Sequence, residues 1–140
     1  MADFKKLHVW RKAHALVLNV HRVASHIRGT QYGPLRNQIL RAAMSIPTNI
    51  VEGRRQETEK QFCRFLSYAI NSGCELEYHL ILARDFRAIN EDDFRSLLMQ
   101  VIEVRRILFG LMNRLGAGEP PKPRGPTSRV PSGAAPSGEQ

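Results

Sequence analysis

Thr58-Glu59-Lys60-Gln61-Phe62-Cys63-Arg64-Phe65-Leu66-Ser67-Tyr68-Ala69-Ile70-Asn71-Ser72-Gly73-Cys74-Glu75-Leu76-Glu77-Tyr78-His79-Leu80-Ile81-Leu82-Ala83 decides the fold. Thr58 and Gln61 have the spacing of a capping box, in which hydroxyl and amide satisfy the first free N–H groups of a helix. Behind them Phe62, Phe65, Leu66, Ala69, Gly73, Leu76, Leu80 and Ala83 fall within one face over about seven turns. Cys63, Cys74, Tyr78, Ile81 and Leu82 lie off that face, so this helix is apolar on more than one side. A lone bundle needs one buried stripe per helix, and the surplus predicts a subunit interface.

Working outward, Asn90-Glu91-Asp92-Asp93 offers a cap and then acids in the first turn, where they suit the helix dipole. A fourth helix follows with Phe94, Leu97, Leu98, Val101, Leu108, Leu111, Met112 and Leu115. On the N-terminal side, Leu35, Ile39, Ala42, Ala43, Ile46 and Ile50 form a second helix that stops at Gly53, with Pro34 suited to its first turn. Pro47 lies inside this pattern, removes a backbone donor and crowds the Ala43 carbonyl, so it kinks or breaks the helix. The first helix runs from about Leu7 to Arg28 with Trp10, Ala13, Val17, Val20, Ala24 and Ile27 on its stripe; Leu18 sits off it. No segment alternates like a strand. The expected architecture is all-α, an antiparallel up-down-up-down four-helix bundle over residues 1–115.

From Gly116 the character changes. Residues 116–140 hold six Pro, five Gly and three Ser, too little apolar surface to offset ordering entropy, and read as a flexible tail. Across all 140 residues the chain is 42% hydrophobic, enough for a core, and no apolar run approaches a membrane span. With no signal-peptide stretch at Met1, the expected location is the cytoplasm. Cys63 and Cys74 are eleven residues apart, about 16 Å of helical rise and beyond disulfide reach.

Charge is uneven. The formal net charge is +8, and the pI is near 10.2. Residues 1–60 carry eleven Lys/Arg against four acids, while residues 61–115 carry seven of each sign. Such a balance points to a polyanionic partner. Arg11 and Arg22 project opposite the apolar stripe of the first helix, with Lys12 beside them, and Arg54 and Arg55 sit at the link to the third helix. These five are the candidate phosphate contacts, since guanidinium binds phosphate bidentately. Without an aromatic platform for stacking bases, backbone or shape recognition is expected rather than base reading.

Catalysis finds little support. No histidine follows a glutamate by three positions, His14 and His21 are too far apart to share an ion, and phosphate-cradling glycine motifs are absent. Neither metal nor cofactor is expected. Gln38, Arg41, Ser45, Asn49 and Glu52 form a polar line on the second helix, able to pair with Ser72, Glu75 and Glu77 on the third; Arg105 is a further candidate partner. Without a nucleophile–base pair, this line reads as a structural network that sets register, not as a cleft.

Three stretches carry a family resemblance: Leu7, Val9-Trp10 and Lys12-Ala13; Tyr32-Gly33, Leu35, Gln38-Ile39, Arg41-Ala42-Ala43, Ser45-Ile46-Pro47, Asn49-Ile50 and Glu52-Gly53; then Phe65-Leu66, Ala69, Ser72 and Glu75-Leu76-Glu77. Together they resemble the bacterial four-helix-bundle family named after a protein encoded in intervening sequences of large-subunit ribosomal RNA genes. The likeness spans residues 4–115 and is most specific over Ser45–Gly53; Val51 replaces the usual Ala and Asn71 the usual Gly. It implies a homopentameric, barrel-like ring with a basic surface, and a second helix that Pro47 kinks without ending. A related branch comprises retroelement accessory variability proteins, which bind a reverse transcriptase and nucleic acid. Two functions are therefore expected in order: a non-enzymatic homo-oligomer gripping structured RNA or other nucleic acid through phosphates, RNA ahead of DNA, or an oligomeric scaffold or accessory subunit docking a protein such as a reverse transcriptase.

Overall fold

A computed structural model describes residue 4 and residues 7–116. Four helices follow one another: α1 (His8–Ala24), α2 (Gly33–Arg54), α3 (Glu59–Asp85) and α4 (Glu91–Leu115), with a 3-10 turn at Thr30–Tyr32. Short links make successive helices antiparallel. α1 packs on α2 and α4, and α3 packs on α2 and α4; among the described residues no diagonal pair meets. This is an up-and-down ring of four helices, as expected. The tail expected over residues 116–140 lies outside the described residues except for Gly116, the C-cap of α4.

The core is a heptad seam. Val9, Ala13, Leu16, Val20 and Val23 of α1 are buried; so are Phe62, Leu66, Ala69, Gly73, Leu76, Leu80 and Ala83 of α3, and Phe94, Leu97, Val101, Val104 and Leu108 of α4. Their spacings alternate between three and four, the pattern that keeps one stripe facing a neighbour in left-handed bundles. α2 supplies Ile39, Ala42, Ile46, Ile50 and Gly53. The stripe expected for α1 needs correction, since Val9, Leu16 and Val23 lie inside while Trp10 and Val17 are half-buried.

Two other expectations change at the helix ends and middle. α1 stops at Ala24, not near Arg28, because Ser25 Oγ and His26 Nδ1 both donate to the Arg22 carbonyl, each at 2.7 Å. α2 runs unbroken through Pro47, so a helix break there is ruled out. Ile46 and Ile50 are buried to 1% and 0% exposure on either side of it, and that packing offsets the missing hydrogen bond.

The caps of α3 and α4 follow the sequence. Thr58 Oγ1 accepts from the Gln61 amide at 3.1 Å and Asn90 Oδ1 from the Asp93 amide at 2.7 Å. α3 ends in a Schellman turn: the amides of Arg87 and Ala88 donate to the carbonyls of Arg84 and Ala83, both at 2.8 Å. Arg87 occupies the left-handed position at φ 61°, where glycine is usual.

One position on from each core seam runs a second line. On α3 it is Cys63, Ser67, Ile70, Cys74, Glu77 and Ile81; on α4, Leu98, Ile102, Arg105, Phe109 and Met112. These two lines face each other, since Arg105 of α4 reaches Cys74 and Glu77 of α3. On α1 and α2 the corresponding lines hold Trp10, Val17, Leu40, Pro47 and Val51 together with the exposed His14 and His21, and Arg36 on the α2 line donates to the Ile27 carbonyl just past α1. One position before the seam, the residues are polar and cross-linked. Lys12 pairs with Glu103 at 3.4 Å and Asn19 donates to Gln100 at 2.8 Å between α1 and α4; Arg41 pairs with Glu75 and Ser45 meets Ser72 between α2 and α3. The bundle therefore has two polar outer grooves, bridged from within, alternating with two apolar ones on opposite sides.

Candidate nucleic-acid interface

Arg11 and Arg22 lie eleven residues apart on α1, which turns them to within about 20° of each other and separates them by about 16 Å along the axis. Both are exposed, and among the described residues neither guanidinium has a carboxylate within ion-pair reach. Lys12, one residue from Arg11, is tied to Glu103 across the α1–α4 groove at 3.4 Å. Its charge is already shared.

Arg54 and Arg55 close α2. Arg54 is half-buried with its guanidinium 5.9 Å from the centre of the Phe62 ring, whereas Arg55 is exposed. Antiparallel connectivity places this pair at the same end of the bundle as Arg11 and Lys12 in the first turn of α1. Arg22 lies at the other end, so the five candidates form no single patch but mark two ends of one helix and a neighbouring corner. Glu52, Glu57 and Glu59 flank the Arg54–Arg55 corner and dilute its field.

A stronger electrostatic signal runs through the sequence around these residues. Between Asp3 and Glu52 there is no acid at all, while Lys5, Lys6, Arg11, Lys12, Arg22, Arg28, Arg36 and Arg41 are basic. His8, His14, His21 and His26 belong to the same stretch, and all four are exposed. α1 and the turn after it thus present positive charge without local counter-charge, and Arg28 joins the candidates there. Counting sign along the chain, rather than by halves, exposes this signal.

The polar line on α2 divides in two. Arg41 Nε donates to Gln38 Oε1 at 3.0 Å and its Nη2 pairs with Glu75. A turn away, Asn49 Nδ2 donates to the Ser45 carbonyl at 2.8 Å, and Ser45 and Ser72 share a hydroxyl hydrogen bond of 2.6 Å. Ser72 in turn donates to the Tyr68 carbonyl at 3.0 Å. The Glu52 side chain joins neither group; only its carbonyl is engaged, by Gln56 at 2.9 Å. Arg105 belongs elsewhere. It meets Glu77 and the Cys74 sulfur, both at 3.1 Å, in the α3–α4 groove. Burial opposes its charge there, but the Cys74 hydrogen bond and the pull of Glu77 outweigh burial and hold the guanidinium above its ordinary value.

Chemically these groups bind one another. Burial, with Glu59 behind it, pushes the Cys63 thiol up and away from nucleophilic thiolate. Among the described residues no three His, Cys, Asp or Glu side chains converge on a metal-sized site, and no helix is long and apolar enough to cross a membrane.

Comparison with known proteins agrees with this architecture. The sequence profile described as 23S rRNA-intervening sequence protein matches residues 5–110. A solved structure from Bacteroides thetaiotaomicron VPI-5482, described as a protein of unknown function from the S23 ribosomal protein family, superposes with a TM-score of 0.70 at 23% identity. That match covers 74% of this chain and 97% of the other, and it shows a shared fold. No curated protein matches the chain.

Proposed function

This chain belongs to the 23S rRNA-intervening sequence protein family, and from that premise we propose that it is a non-enzymatic, homo-oligomeric, cytoplasmic bundle that binds structured RNA through phosphate contacts. One observation carries the reading: eight Lys/Arg and no acid between Asp3 and Glu52. Net positive charge attracts any polyanion, but an acid-free helix also keeps the arginines from being neutralised by their own neighbours. Arg11 and Arg22 are the principal contacts. Arg54 and Arg55 contribute from the corner, and Lys12 contributes less because Glu103 competes for it. A scaffold that docks a polymerase does not require unpaired arginines on the first helix, so nucleic acid takes precedence.

Filter binding of a structured RNA across a salt series tests this. Affinity should fall steeply with salt, and Arg11→Ala with Arg22→Ala should flatten the log–log slope by about 1 per arginine. Arg54→Ala with Arg55→Ala should flatten it less. Absence of binding at low salt would overturn the assignment.

A further inference from the structure

Tyr68 stands 39% exposed on the outer face of α3, in contacts that fix its ring. Phe65, three residues before it, meets the ring nearly at right angles, with centroids 5.5 Å apart and planes at 80°. Arg64, one turn before, donates from Nε to the Tyr68 hydroxyl at 2.6 Å, and its guanidinium lies 5.8 Å from the ring centre. Both contacts follow from helical spacing, since residues three and four apart are neighbours. Tyrosine has only two side-chain torsions to lose, and two neighbours already hold them. An exposed ring fixed in this way stacks a further planar group at little entropic cost.

The charge beside the ring is positive. Lys60, Arg64 and Tyr68 succeed one another at intervals of four along one face. Lys60 and Arg64 are exposed, and among the described residues neither has a carboxylate within ion-pair reach. Further along this face Glu75 is already paired with Arg41. The strip begins at the end of the bundle where Arg54 and Arg55 close α2. A fixed ring with cations one and two turns away suits a planar group carried on a phosphate chain. Bases paired in a duplex offer no free face, so the planar group is a base of a loop, bulge or strand end.

We propose that Tyr68, flanked by Arg64, is a stacking site for one unpaired base of the bound nucleic acid, with Arg64 and Lys60 on the adjoining phosphates. The sequence, with 7% aromatic residues, does not announce such a site, because it depends on how Phe65 and Arg64 meet one tyrosine. The inference rests on the nucleic-acid part of the proposed function and adds to it a preference for single-stranded elements.

The test is filter binding of the full chain to two RNAs built on one stem: a hairpin with a loop of unpaired adenosines, and the stem alone as a blunt duplex. Wild type should bind the hairpin more tightly. Tyr68→Ala should weaken hairpin binding by roughly 5- to 150-fold, the range for one stacked base, and leave duplex binding unchanged. Tyr68→Phe, which keeps the ring, should retain the preference for the hairpin. Tyr68→Leu, which keeps apolar bulk without a ring, should lose it. None of these variants removes a charge, so the log–log salt slope should hold its wild-type value, whereas Arg64→Gln should flatten it by about 1. Helical circular dichroism should be unchanged throughout; if Tyr68→Ala loses it, Tyr68→Phe against Tyr68→Leu carries the comparison. Equal wild-type affinity for the two RNAs, a variant loss that is the same for both, or a Tyr68→Leu variant that keeps the preference overturns the proposal. Duplex binding without any preference for the hairpin overturns the stacking site and leaves the phosphate reading standing; binding of neither RNA overturns both.

Discussion

At Arg87 the chain takes φ 61° with a side chain that pays for it, and at Gly53 it keeps ordinary helical geometry with no side chain at all. The two positions have opposite causes. Arg87 must adopt the left-handed conformation to close the Schellman turn, which costs a non-glycine residue roughly 1–2 kcal/mol. Arg87→Gly should therefore raise stability by about 1 kcal/mol, read as a higher urea midpoint at constant m. At Gly53 the constraint is space: a Cβ there would lie 2.8 Å from both Phe62 Cδ2 and Phe65 Cβ, where α2 hands over to α3. Gly53→Ala gains about 1 kcal/mol of helix propensity but should still lower stability by about 2 kcal/mol, because overpacking outweighs it. The same urea titration checks both signs.

Between elements, the caps and the serine pair set limits and register. Thr58→Ala and Asn90→Ala should each cost about 1 kcal/mol in thermal or urea unfolding, since each strands an amide of a first helical turn. Ser45→Ala or Ser72→Ala alone leaves the other hydroxyl in the α2–α3 interface with one partner fewer, whereas the double variant removes both, so a double-mutant cycle should return a coupling of about 1 kcal/mol. The caps were legible from sequence because Thr58-x-x-Gln61 and Asn90-Glu91 state them locally. The inner stripe of α1 was not. Trp10 and Val17 are as apolar as Val9 and Leu16, and two greasy lines one residue apart have nearly the same periodicity. Only the neighbours decide which line faces in. Arg105 was misplaced for a similar reason: its position in an apolar arc is visible, but whether it meets α2 or Glu77 depends on how α4 sits beside α3. Pro47 was ambiguous because backbone chemistry opposes a helix there, and only the burial of Ile46 and Ile50 settles it. Glu52 has the right azimuth for the polar line yet finds no partner in it.

For the whole molecule, charge and grease make separable demands. Raising salt from about 50 mM to about 1 M should strip bound RNA while leaving the oligomer mass unchanged, because counterion release governs the first and apolar burial the second. Scattering and absorbance measured on the same sample distinguish them. The order of elements along the chain has a consequence for biosynthesis. Synthesis runs from the N-terminal side, so α1 and almost all of α2 emerge before Glu52 and every later acid. Arg41 must wait for Glu75, and Lys12 for Glu103, each supplied by a later helix. Until then the nascent hairpin carries its positive charge without the carboxylates that later neutralise part of it.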